Sequence, residues 1–251
     1  MHQTLYLIKT YRKFRIVVHT ITGLILAASI LPFVQKSTKS YLIKWWCSGL
    51  LCAFNIQVKT FGKPPSSMAQ GVLFVANHVS WSDIHALNSV VALRFISKSD
   101  VKEWPIFGYL ATQANTLFIN RDNLQAAGKI VDVCSASLKD GDNLCFFPEG
   151  TTSDGQQVLP FKSSIVQAAI DAKALIWPVA VRYVNADASL NTQMAYAGET
   201  TMLQSIVAIL NIKKPVVELH FLEPIVTADQ TRRQLTQTAY DAIVTKLAGS
   251  N

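Results

Sequence analysis

Two histidines and a carboxylate fall close together in VANHVSWSDIH, residues 75–85, behind an apolar run. His78 and Asp83 stand five positions apart. A carboxylate that holds one nitrogen of an imidazole leaves the other free to take a proton near neutral pH, the arrangement of a general base with its orienting partner. Two other readings of the same residues stay open. His78, Asp83 and His85 together form a possible metal set, although their spacing matches neither HExxH nor a zinc-finger pattern. The stretch also suits an ordinary strand-to-helix turn, with Ser82 or Asp83 capping the helix.

Two further polar clusters follow apolar runs: NRDN at 120–123 and PEGTTSDG at 148–155. Arg121 offers a planar fork suited to a phosphate or carboxylate, or to a surface ion pair. Glu149 and Gly150 open a loop in which glycine lets main-chain N–H groups approach a ligand, and Thr151, Thr152 and Ser153 add hydroxyls. Lys98 and Lys162 are further cations beside such loops. The chain contains no GxSxG, GxxxxGK[ST] or GxGxxG. A base at His78 therefore has no protein nucleophile of the elbow type to activate, and the hydroxyl it serves arrives on a substrate.

The elements that must hold these residues alternate. Short apolar runs at 71–77, 94–99, 115–120, 143–148, 174–184 and 215–225 have the length and composition of strands. Helical spacing occupies 82–93, 104–113, 123–141, 163–173, 201–211 and 230–249. The pattern predicts an α/β domain with a mostly parallel sheet flanked by helices. All three polar clusters then lie at strand ends, where open sheets of this class bind ligands.

The first third differs in character. Residues 1–82 hold nine Lys or Arg and no Asp or Glu, so the whole formal charge of +7 originates there. The uncharged run 16–34 is flanked by Lys9, Arg12, Lys13 and Arg15 before it and by Lys36, Lys39 and Lys44 after it. A second apolar stretch, 41–58, carries the pair Trp45-Trp46. Basic flanks on both sides predict a two-helix hairpin at 1–62 that returns to the cytoplasmic face of a membrane, ahead of an α/β domain at 63–251. A single span and a signal peptide are the other readings. The cations are interleaved with apolar residues rather than clustered on a polar face, which argues against nucleic acid as the partner. Cys47, Cys52, Cys134 and Cys145 show no CxxC spacing and read as reduced, buried thiols.

In order, NHVSWSD, FINRD, FPEGTTSDG and IWPVAV resemble the four sequence blocks of the glycerolipid and lysophospholipid acyltransferase family, over roughly residues 70–185. The resemblance implies acyl transfer from an acyl-thioester, acyl-CoA or acyl-carrier protein, to a lysolipid hydroxyl at a membrane, without a further cofactor or metal. It makes His78 the base and Asp83 its orienting partner. Arg121, Glu149, Gly150 and Thr151 become acceptor-binding residues, Lys98 a further contact, and Pro178 part of the fourth block. It also implies 1-acylglycerol-3-phosphate as acceptor and the cytoplasmic membrane as location. Thr152 stands where many phosphatidate-forming members have arginine, a departure shared with branches that include lyso-ornithine-lipid acyltransferases. Lys162 is placed to restore the missing charge.

Overall fold

The computed structural model describes residues 5–65, 69–119 and 124–249, with side chains of the last stretch from 128 onward. Seven strands form one sheet. They are β1 (Gln57–Phe61), β2 (Leu73–Ala76), β3 (Arg94–Lys98), β4 (Leu117–Ile119), β5 (Leu144–Phe146), β6 (Ile176–Val184) and β7 (Val216–Phe221). Their spatial order is β1-β7-β6-β2-β5-β3-β4, and every pair is parallel except β6 with β7. The mostly parallel α/β architecture expected from the alternating pattern is present. β2 lies between β6 and β5 and is buried along its whole length, which explains its uninterrupted apolar run.

Successive side chains of a strand face opposite ways, so each strand feeds two cores. Leu73, Val75, Leu144 and Ile176 pack under α5 (Leu124–Lys139), α6 (Val166–Ala172) and α8 (Arg232–Ala248). Phe74, Val179, Val181 and Tyr183 pack on the other face, under α2 (Lys36–Phe54), α3 (Ser82–Val90) and α7 (Met202–Asn211). Capping boxes at Thr201/Gln204 and Thr231/Gln234 set the starts of α7 and α8. The short helix α4 (Phe107–Gln113) follows β3 after one 3-10 turn.

Residues 6–54 form two helices packed as a hairpin, α1 (Tyr6–Ser29) with α2. Two glycines bring the helices together. A Cβ on Gly23 would lie 2.3 Å from the Trp46 indole, and one on Gly49 would lie 2.4 Å from the His19 ring. His19 stacks on Trp46 at 5.5 Å, with Nε2 2.8 Å from the Trp46 carbonyl. Trp46 is therefore an internal packing residue, while Trp45 stays exposed. Asn55 ends α2 in the left-handed region, and the chain then enters edge strand β1 instead of continuing the apolar helix to Val58.

Four of the cations that the charge pattern assigned to a membrane surface are fastened to the rest of the chain. Arg12 is buried and donates to the carbonyls of Ile212 (2.9 Å) and Lys213 (2.6 Å). Lys36 pairs with Asp142 at 2.6 Å, Lys39 donates to Asn115 Oδ1, and Lys44 donates to the Val90 carbonyl. Among the described residues no helix is long and apolar enough to cross a membrane, against the single-span reading. Cys47, Cys134 and Cys145 are buried as expected, whereas Cys52 is exposed beside Arg15.

Candidate active site

β2 ends at Ala76, and the Asn77 side chain supplies the next rung of its pairing with β6. Asn77 Nδ2 donates to the Val181 carbonyl at 2.9 Å, and the Val181 amide donates to Asn77 Oδ1 at 2.7 Å. This holds the chain at the point where His78 leaves the sheet, at the C-terminal end of the strand. From there the turn 78–83 wraps around the Asp83 carboxylate, which is fully buried. Asp83 Oδ2 lies 2.8 Å from His78 Nδ1 and accepts the main-chain N–H groups of Val79 (2.8 Å) and Ser80 (2.9 Å). Asp83 Oδ1 accepts the Tyr183 hydroxyl at 2.5 Å. A buried carboxylate is tolerated when donors surround it in this way.

The capping alternative is thereby answered. α3 starts after Trp81 without a side-chain cap, and Asp83 bonds the turn before the helix and the imidazole. With its Nδ1 proton on Asp83, His78 has Nε2 as its acceptor, and no hydrogen-bond partner for Nε2 is present among the described residues. The imidazole is 17% exposed and stacks on Phe147, centroids 3.8 Å apart and planes 7° apart.

Glu149 stands beside the dyad in an unforeseen posture. It is 4% exposed, Oε1 accepts the His78 main-chain N–H at 2.6 Å, and Oε2 accepts that of Leu159 at 2.8 Å. Both oxygens are committed to the main chain. Burial pushes this carboxyl up to about 7, against the pull of the Leu159 and His78 amides and with a smaller push from Asp83. The His78 carbonyl accepts the Ser153 amide at 2.8 Å, so the residue is held at both ends by the loop after β5. Gly150 has φ +75°, a conformation that favours glycine.

The other expected residues spread around this centre. Thr151 is exposed on the same loop. Thr152 donates its hydroxyl to the Tyr196 carbonyl, while the Tyr196 amide donates to Val79. Lys98 is exposed at the end of β3, and Lys162 is exposed just past the loop. Pro178 lies in β6 opposite Val75. Arg121 lies outside the described residues. His85 diverges from His78: its Nδ1 is 3.6 Å from Cys47 Sγ and its ring meets Trp46 and Trp81 edge-on. Burial lowers His85 to about 4, aided by His19, so it packs as a neutral ring.

Tyr183, Phe147 and the Leu159 amide were not among the expected site residues. Each belongs to a different segment, and only the order of strands brings them to the dyad. A cavity of about 160 Å³ opens beyond, with an almost wholly apolar lining that includes Gly23, Trp46, Trp81, Phe95 and Phe107. Phe95 packs on Phe147 at 5.9 Å, so a single ring separates the cavity wall from the His78 imidazole.

The acyltransferase family model matches residues 56–182, from β1 to the middle of β6. The chain belongs to the acyltransferase family. The lyso-ornithine lipid O-acyltransferase of Pseudomonas aeruginosa is 33% identical over 89% of this chain and 83% of that protein. The 1-acyl-sn-glycerol-3-phosphate acyltransferase of Neisseria meningitidis serogroup B is 38% identical over 69% of this acyltransferase and 68% of its own length. The fold is that of the crystal structure of the Thermotoga maritima enzyme PlsC, described as a 1-acyl-sn-glycerophosphate (LPA) acyltransferase. Its TM-score is 0.66 at 18% identity, covering 95% of this chain and 97% of that one.

Proposed function

We propose that this acyltransferase moves a fatty acyl group from an acyl-thioester, acyl-CoA or acyl-carrier protein, to the free hydroxyl of a lysolipid. The first acceptor is 1-acylglycerol-3-phosphate, which would yield phosphatidic acid. The observation that carries the reading is the His78–Asp83 pair: one imidazole nitrogen anchored on a buried carboxylate, the other with no protein nucleophile beside it among the described residues. His78 Nε2 takes the proton of the acceptor hydroxyl as its oxygen attacks the thioester carbonyl. The tetrahedral adduct collapses with cleavage of the C–S bond, and the departing thiolate takes the proton back from His78. Asp83 keeps the ring oriented and stabilises the transient imidazolium. The neighbouring apolar cavity suits a fatty chain.

The exposed apolar residues of α1, among them Tyr11, Phe14, Val18, Ile21 and Ile25, support attachment to one leaflet of the cytoplasmic membrane, with the site facing the cytoplasm. Arg121 is the proposed anchor for the acceptor's anionic head group, with Lys98 and Thr151 as further contacts.

A second acceptor, a lyso-ornithine lipid, is favoured by one observation. Thr152 occupies the position of an expected arginine, and its hydroxyl is committed to the Tyr196 carbonyl. A relative from Brucella abortus that carries the lyso-ornithine name is 32% identical over 85% of this chain. The test incubates purified protein with labelled acyl-CoA or acyl-carrier protein against each lysolipid. His78→Ala is expected to abolish transfer to either acceptor while leaving the fold intact; turnover surviving that change would sink the mechanism.

A further inference from the structure

The Asp83 carboxylate is held from two sides. Oδ2 belongs to the turn and the imidazole, and Oδ1 belongs to β6 through the Tyr183 hydroxyl. Tyr183 is 1% exposed, and its oxygen lies 2.7 Å from Ser82 Oγ, which in turn lies 3.2 Å from Ser80 Oγ. A phenol has one proton. With that proton on Asp83, the shorter 2.7 Å contact takes the single Ser82 proton in preference to the 3.2 Å contact with Ser80, and donation from Ser82 makes the phenol a stronger donor to the carboxylate. The chain Ser82–Tyr183–Asp83–His78 thus joins β6 and the start of α3 to the imidazole. Burial, followed by the charge of Asp83, pushes the Tyr183 hydroxyl well above its ordinary range, so it remains a donor throughout the working pH range.

We propose that Tyr183 is a positioning residue for acyl transfer: its buried hydroxyl fixes Asp83 through Oδ1 and sets how much of the carboxylate's charge bears on His78. The proposal rests on His78 acting as the base. A donor on Oδ1 draws charge away from Oδ2. Removing it concentrates charge beside the imidazole, which favours the imidazolium and holds His78 protonated to higher pH. The same change frees the carboxylate to rotate about its own bond, which loosens the ring it orients.

Among the described residues, three titratable groups face the pair. Tyr183 comes from β6, Cys145 from β5, and Glu149 from the loop after β5. Burial and the Asp83 charge push Cys145 up, so it stays a neutral thiol. Glu149, pushed to about 7, changes charge near neutral pH and needs its own control.

The experiment compares kcat and KM against pH for the wild-type chain, Tyr183→Phe, Ser82→Ala and His78→Ala, and repeats the first two in a Glu149→Gln background. Tyr183→Phe is expected to lower kcat by roughly tenfold or more, the scale of one hydrogen bond to a charged group. KM for both substrates should stay within about twofold, and the acid limb of kcat/KM should move to higher pH by roughly half a unit. Ser82→Ala should move the limb the same way by less, and it carries the test should Tyr183→Phe fail to fold. The limb shift should persist in the Glu149→Gln background. An acid limb left at its wild-type position in Tyr183→Phe, or in Ser82→Ala where that variant carries the test, overturns the proposal. Full activity in His78→Ala overturns instead the function on which it rests.

Discussion

The main-chain N–H of His78 donates to Glu149 Oε1 at 2.6 Å, while Glu149 Oε2 holds the Leu159 amide at 2.8 Å. The acid of the FPEG segment therefore ties the strand end that carries His78 to the loop that follows β5. Its environment predicts a pH-dependent stability. The folded carboxyl titrates at about 7 against an ordinary value of 4.5. Between these values the folded state keeps a proton that the unfolded chain has lost, so this component is fully present below the lower value and fades as pH rises through the upper one. Urea midpoints of the wild-type chain, measured from about pH 5 to about pH 8, should fall relative to those of Glu149→Gln. Glu149→Gln should also lose about 1–3 kcal/mol at pH 5, because an amide nitrogen then faces a main-chain N–H. Parallel curves for the two proteins across this range would refute the assignment.

Arg12 makes a separate prediction for the hairpin. Its guanidinium satisfies the Ile212 and Lys213 carbonyls just past the end of α7 and so docks α1 on the α/β body. Arg12→Ala leaves both carbonyls without that donor and should raise amide hydrogen exchange in α1 and around 209–213, with β2, β5 and β6 unchanged. A loss of about 1–3 kcal/mol in local stability is expected. Uniform exchange across the whole chain would show that α1 is not a separate cooperative unit.

The proposed membrane attachment should depend more on apolar burial than on charge. Phe14 and Ile21 are 65% and 51% exposed on α1, whereas Arg12, Lys36, Lys39 and Lys44 are occupied by the chain itself. In cosedimentation with anionic vesicles, Phe14→Ser with Ile21→Ser should weaken binding by roughly a hundredfold or more, since burying each side chain is worth about 1.5–3 kcal/mol. Salt near 1 M should weaken it less. Release by salt with no effect of the double substitution would reverse that order.

The sheet was legible because a parallel strand buried on both faces writes an unbroken apolar run, as in LFVA at 73–76, and turn residues bound it. His78 and Asp83 were legible as a pair because a five-residue spacing spans one turn, so local geometry alone can join them. Edge strand β1 was missed, since four of its five residues are exposed and it lacks that apolar signal. The antiparallel β6–β7 pair was invisible for another reason: strand direction depends on how the connection returns, not on composition.

The sequence by itself determined the alternation of elements, the polar strand ends and the pairing of His78 with Asp83, all of which depend on neighbours a few residues away. Only the tertiary structure decided what surrounds them. Tyr183 meets Asp83 across 100 positions, Glu149 meets His78 across 71, and Arg12 reaches Ile212 across 200. Contacts of that separation are fixed by strand order and by which face each side chain takes, and a linear pattern of residue types encodes neither directly.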